Sequence, residues 1–209
     1  MTKIEVWWNV QVCATMNLFI LHLNPDLAAR YHADKHVVKM LLEACQLLYG
    51  VHWVVAYPEL LNYRYSVKLS EEQKKLSIPE SLKTAPCSLT RPGEPGFRPV
   101  HLHHPCAQWV RESQGNYYWA CQLALALAKE YIYRFGEKNS KVHSCQVHAQ
   151  WLLDNIPDLP LFEQTEFVQA MYPEFRCDDA VEAYRAYYRG SKGERGLLQY
   201  TRREMPEWI

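Results

Sequence analysis

Proline and glycine divide this chain into long helix-competent stretches separated by segments that resist helix formation, and that punctuation constrains the fold more than any other feature. "NP" at Asn24–Pro25 reads as a helix start. Asparagine suits the N-cap, and proline suits the first helical position, where a missing N–H costs nothing. That pattern runs to about Gly50, a residue type that ends helices. A second helix is predicted from Pro105 to Gly136 and a third around 141–154. Asp178 or Asp179 caps a further one, "AVEAYRAYYRGSK". "NLFILHL", ahead of the first helix, is a short apolar run that fits one strand or a buried extended segment. Residues 66–100 are rich in Pro, Lys, Glu and Ser and read as a long loop with one short polar helix at most. "NIPDLPLFEQTEF" reads as an irregular link. The expected fold is mainly α, an irregular helical bundle with a short extended N-terminal segment and a long Pro-rich loop. Residues 1–15 read as an N-terminal extension and 16–209 as a single helical domain, with 66–100 as a loop insertion.

Composition narrows the function. The chain has 209 residues, 48% hydrophobic and 13% aromatic, so it can bury a sizeable core and is not disordered as a whole. Lys+Arg and Asp+Glu both number 23, so there is no bulk basic excess for coating duplex DNA, and any nucleic-acid contact must come from a local patch. The seven cysteines are odd in number and lack framework spacing, which predicts reduced thiols in a cytoplasm. No segment approaches the ~20 apolar residues of a membrane span, so no membrane partner is expected.

On a helical wheel of roughly 100° per residue, His32, His36, Lys39, Glu43 and Gln46 form one polar stripe. It reads as the solvated face of an amphipathic helix. Asp34 falls about 160° from His36, among Val38, Leu41, Cys45 and Leu48, with Arg30 nearby. On the second helix Arg111, Gln122 and Lys129 form the wet side with Tyr118 and Tyr133. Asn116, Glu130 and Arg134 lie opposite, with Glu112, among Ala120, Leu123 and Leu127. Glu130 and Arg134 are four apart and can pair directly. An unpaired buried charge costs several kcal/mol. The two helices are therefore expected to bring Asp34, Asn116, Glu130 and Arg134 together, as a closed network or around a water-filled pocket.

"HLHHP" places His101, His103 and His104 just before the second helix, and His143 and His148 are further possible ligands. The spacing matches no zinc signature. His103 and His104 also suit anion contacts at a helix N-terminus. Toward the end, Arg185, Arg189, Lys192, Arg195, Arg202 and Arg203 interleave with Tyr184, Tyr187, Tyr188 and Tyr200. Cations mixed with stacking rings suit phosphates and bases, and Arg185 and Tyr188 share a face with Val181 that leans inward. No phosphate-binding loop of the G-x-x-x-x-G-K-[ST] type, dinucleotide fingerprint or H-E-x-x-H is present.

"NPDLAARYHADKHVVKMLLEACQLL", "HPCAQWVRESQGNYYW", "EYIYRFG" and "AYRAYYRGSKG…TRREMPEW" together resemble a family of small proteins encoded by DNA bacteriophages, large DNA viruses and some bacteria. Some members of that family carry the label of pyrimidine-dimer DNA glycosylase. The likeness starts near Met16 and spans most of the chain outside 66–98. The resemblance picks out Asp34, Lys35, His36, His104, Trp109, Arg111, Ser113, Asn116, Tyr117, Glu130, Arg134, Arg185, Tyr188 and Lys192. The histidine expected soon after "EYIYRFG" is displaced, with His143 the nearest. A phage-encoded member would work in the host cytoplasm.

The resulting expectation is an enzyme acting on a nucleobase or nucleotide, free or within DNA, at an N-glycosidic or base-substituent bond. Asp34 or Glu130 is the expected general base or charge stabiliser, with His36 and Asn116 beside them and His36 or His104 shuttling a proton. Arg134, Arg185 and Lys192 are expected on phosphate, with Lys35 and Tyr188 as further substrate contacts, and Trp109 and Tyr117 on the base. A non-catalytic nucleotide-sequestering protein uses the same cations and rings without a tuned carboxylate. A metal-dependent hydrolase built on the histidines is the third alternative.

Overall fold

The computed structural model describes residues 16–62, 75–136 and 141–209. The expected mainly α, irregular bundle is the architecture found, and no strand occurs among the described residues. Six α-helices are described: α1 (Pro25–Tyr31), α2 (Asp34–Ala56), α3 (Pro105–Glu112), α4 (Gln114–Phe135), α5 (Gln146–Asp154) and α6 (Ala180–Tyr187). α2 lies at the centre, against α3, α4 and α5, and α1 packs on α4. Among the described residues no helix is long and apolar enough to cross a membrane.

Both long predicted helices are broken once, and the reason is tertiary. The first stops at Tyr31 and restarts at Asp34, with His32 and Ala33 extended between. Asn24 caps α1 as expected, accepting from the Leu27 N–H. α2 has no side-chain cap, and distant groups satisfy its first amides. The Ala33 N–H donates to the Tyr188 hydroxyl (2.8 Å) and the Asp34 N–H to the Gln199 carbonyl (2.8 Å). The second helix breaks at Ser113, whose backbone is extended and whose hydroxyl caps α4 by accepting from the Asn116 N–H (3.0 Å). The chain at 161–164 crosses that break. The Gln114 and Gly115 N–H groups donate to the Leu161 and Phe162 carbonyls, and a Cβ on Gly115 would collide with the Gln164 backbone.

Gly50 does not end α2. Its neighbours Tyr49, Val51, His52, Trp53 and Val54 are all buried, and packing carries the helix on to Ala56. The apolar run at 16–21 is buried and extended but pairs with no strand. Within it Phe19 holds φ +39°, a left-handed conformation that costs a residue with a Cβ free energy. Of the proline-rich segment, residues 75–100 carry a short 3₁₀ turn at Glu80–Leu82 and a bridge between Cys87 and Pro95; residues 66–74 lie outside the described set, as do residues 1–15. Asp179 caps α6, accepting from the Val181 (2.7 Å) and Glu182 (3.1 Å) amides. The helix then widens into one π turn, Tyr188–Lys192, a distortion that recurs at functional sites.

Candidate functional site

The residues singled out from the sequence separate into a closed ion network, an open pocket and a set of packing contacts.

The network centres on Arg134, whose side chain is completely buried. Its Nη1 donates to Asp34 (2.9 Å), its Nε to Glu130 (2.7 Å) and its Nη2 to the Arg30 carbonyl (2.9 Å). Arg203 closes the other side, with Nε and Nη2 each 2.8 Å from a Glu130 oxygen. Asp34 also accepts from the Thr201 hydroxyl (2.7 Å) and amide (3.0 Å). Tyr200 and Tyr133 lie against the Arg134 and Arg203 guanidiniums. Burial alone would raise the Glu130 carboxyl, but the bonds and charges of Arg203 and Arg134 outweigh it and hold it below the usual carboxylate range. Asp34, Glu130 and Arg134 are thus joined in a closed network. Its function is to fasten the C-terminal tail to α2 and α4. Arg30 contributes its carbonyl rather than its charge.

Asn116 does not join them. Its amide donates to the Trp109 carbonyl (2.8 Å) and Thr165 (2.8 Å) and accepts from the Thr165 N–H (2.9 Å), tying α3 and the 161–165 segment to α4. The break at Ser113 also leaves Glu112 exposed rather than within the apolar face.

The pocket lies between the 16–19 segment, α2 and the π turn, with a volume of about 180 Å³. Its floor is buried: Asn17, Phe19, His36, Glu43, Tyr187 and Lys192. Its rim is exposed and cationic: Lys35, Lys39 and Arg195. The predicted solvated stripe is thus overturned, because His32, His36 and Glu43 are buried, Gln46 is half-buried and only Lys39 is exposed. α2 is apolar almost all round, so its polar stripe lines a cavity inside the bundle instead of the outer surface.

Each floor group is held. The Tyr188 hydroxyl accepts from the Ala33 N–H, so its own proton goes to His36 Nδ1 (2.6 Å). That assignment leaves His36 as the Nε2–H tautomer. Burial, with Lys192 and other cations nearby, pushes the His36 pKa down to about 3, so the ring is a neutral donor at any ordinary pH. Glu43 accepts from the Asn17 N–H (3.0 Å) and pairs with Lys39 (2.8 Å), yet burial raises its pKa above the usual range. Lys192 Nζ donates to the Tyr187 hydroxyl (3.1 Å) and sits over the Tyr187 and Phe19 rings, at 4.6 and 5.4 Å from their centroids. Burial first, then Arg195 and Lys39, lower its pKa to about 8. Four cations face a single carboxylate in this lining. The arrangement suits an anionic ligand.

The remaining predicted residues serve packing. Trp109 is buried, its indole N–H donating to the Glu166 carbonyl (2.9 Å). Tyr117 is buried against His52 (2.9 Å). His104 caps α3, accepting from the Cys106 N–H (3.2 Å). Arg111 bonds the Leu102 and Ala107 carbonyls. Arg185 leans inward as its helix face predicts, but onto the Leu21 carbonyl and the Tyr31 and Trp208 rings, away from the pocket. Tyr188 is buried behind His36 and does not line the cavity. The histidines of the metal reading are not gathered, and among the described residues no group of three His, Cys, Asp or Glu side chains could hold a metal ion.

Of the residues predicted as a site, Lys35, His36 and Lys192 line the pocket, together with Glu43, Lys39, Arg195, Tyr187 and Phe19, which were not predicted as site residues. The available signal was the buried character of α2: a helix apolar on nearly every side leaves Glu43 no solvent to face. Comparison of the chain with family models, with curated proteins and with solved structures finds no match.

Proposed function

We propose that the protein is an enzyme that binds a phosphorylated nucleotide unit, free or within a strand, in the Lys35–His36–Glu43–Lys192 pocket and acts on its base or sugar. The observation that carries this reading is the layering of the pocket. Exposed Lys35, Lys39 and Arg195 surround a buried carboxylate, a neutral imidazole and an amine. The rim attracts phosphate, and Phe19 and Tyr187 give the floor an apolar part. A cavity of about 180 Å³ is smaller than the roughly 300–1,000 Å³ typical of sites that enclose a whole small molecule. It takes one base or sugar, with the phosphate left at the mouth. Glu43, its carboxyl raised by burial, is the group of this lining suited to pass a proton. Asp34, held by Arg134 and Thr201, and Glu130, held by Arg134 and Arg203, are unsuited to that task.

The test is thermal unfolding against nucleoside 5′-monophosphates and short single-stranded DNA. A ligand at 100 times its Kd stabilises the native state by about 2.7 kcal/mol. For a chain of this size each kcal/mol shifts Tm by roughly 2–4 °C. A shift of several degrees that disappears in Lys35→Glu/Arg195→Glu supports the reading, and no shift with any member sinks it. Where binding is present, Glu43→Gln separates the two functional classes: an enzyme loses turnover and keeps binding, whereas a sequestering protein has no turnover to lose.

A further inference from the structure

Lys192 occupies an unusual position for a lysine. Its amine is buried, at 6% residue exposure, yet no carboxylate among the described residues stands within ion-pair distance of it. Its polar partner is a neutral phenol, Tyr187, and its remaining surroundings are ring faces. The charges nearest in effect are Arg195 and Lys39, both cations, with Glu43 the single anion of the lining. A lysine needed only for binding phosphate gains nothing from such burial; exposed Lys35, Lys39 and Arg195 already supply that charge. A desolvated lysine beside other cations is instead the arrangement that frees an amine lone pair. Two backbone distortions converge on the same atom. The π turn ends at Lys192, and Phe19, whose ring lies under Nζ, holds its left-handed φ. Such departures persist where the surrounding structure enforces them, and they cluster at reactive sites.

We propose that Lys192 is the nucleophile of this pocket and forms an imine with the carbonyl carbon of a phosphate-bearing sugar in its open-chain form. The proposal rests on the phosphate-selecting pocket described above and names its substrate class as a sugar phosphate carrying an aldehyde or ketone. The free amine adds to the carbonyl carbon, and its proton moves to the carbonyl oxygen, giving a carbinolamine. Glu43, having taken up the proton that the lysine ammonium releases, delivers it to that hydroxyl, which leaves as water while the nitrogen lone pair closes the C=N bond of a protonated imine. The carboxylate left on Glu43 matches the proton that the lysine ammonium gave up before attack. One carbonyl oxygen therefore leaves as one water, and nothing is oxidised or reduced. The neutral His36 Nε2–H is a donor for the oxygen as charge develops on it, and the rim cations hold the phosphate. With the amine pKa at about 8, roughly a tenth of the molecules carry the free base at pH 7.

The test is reductive trapping on the full chain. Protein is incubated with ribose 5-phosphate and cyanoborohydride, and the modified peptide is identified by mass spectrometry. The expected result is one adduct, on Lys192. It forms at least tenfold faster than with unphosphorylated ribose, is lost in Lys192→Arg, and slows in Glu43→Gln. Circular dichroism checks that the variants are folded, and Lys192→Met serves if Lys192→Arg is not. Modification spread over exposed Lys35 and Lys39, or absent from Lys192, overturns the proposal. The nucleotide-dependent Tm shift separates the two readings. If that shift is present and Lys192 is not trapped, the pocket binds nucleotides without imine chemistry. If trapping on Lys192 occurs without any nucleotide shift, the imine stands and the nucleotide reading falls.

Discussion

At the scale of single residues the fate of a charge is set by how many partners reach it. Arg134 is fully buried with three acceptors around it, and Glu130 takes three hydrogen bonds from two arginines. Removing one member strands the others, so Glu130→Gln and Arg134→Met are each expected to destabilise the fold by about 3–5 kcal/mol. Nucleotide binding by the folded fraction should be unchanged; urea unfolding beside a binding titration measures both. Glu43→Gln is the contrast. It keeps an acceptor for the Asn17 N–H and gives up only a pair with half-exposed Lys39, so stability should change by under about 1 kcal/mol while turnover is lost. Tyr188→Phe leaves the Ala33 N–H and His36 Nδ1 without their shared partner. It is expected to cost roughly 1–3 kcal/mol and to weaken ligand binding, because the His36 ring loses its anchor. Equal stability of Tyr188→Phe and the parent chain would contradict that account.

At the scale of elements, two breaks build the functional surfaces. The His32–Ala33 interruption lets α2 start against Tyr188 and Gln199, which brings the π turn alongside His36. The Ser113 interruption separates α3 from α4 and admits the 161–165 segment. Gly115 sits where that chain crosses, and a side chain there has no room. Gly115→Ala is therefore expected to destabilise by several kcal/mol, the cost of forcing two backbones apart, rather than to stabilise as glycine-to-alanine changes in open helices do. Chemical denaturation of that single variant decides the sign.

At the scale of the molecule, buried imidazoles set the acid limit of the fold. The pKa values of His32, His52 and His104 are lowered by burial to about 4 and that of His36 to about 3, from 6.5. Between pH 6.5 and 4 the unfolded chain binds protons that the native one refuses. The stability these groups contribute is thus fully present above pH 6.5 and drains as pH falls toward their folded values. Each contributes a slope of about 1.4 kcal/mol per pH unit within that window. Four acting together exhaust a typical stability of about 5–15 kcal/mol within roughly two pH units. Cooperative acid unfolding between about pH 4 and 5.5 is expected by circular dichroism, and a urea midpoint that stays flat from pH 7 to 4.5 would contradict it.

Local signals determined much of this protein by themselves. The Asn24–Pro25 start, the Asp179 cap, the Glu130–Arg134 spacing and the mainly α class all follow from short-range chemistry, because caps, prolines and i,i+4 pairs act within one turn of chain. The inward lean of Arg185 and Tyr188 was legible for the same reason. Tertiary structure alone decided where the helices break and which polar face meets water. Wheel reasoning extends a helix through Tyr31–Asp34 and Glu112–Gln114, whereas the hydroxyl of Tyr188 and the crossing chain at 161–164 end it there. The break at Ser113 rotates α3 against α4, which is why Glu112 was misplaced; Asn116 shares α4 with Glu130 but lies about 20 Å from it along the axis. The burial of Glu43 and His36 was hidden for a different reason. Burial is a property of what packs around a helix, and the groups that bury them come from residues 16–19 and 187–197, far away along the chain.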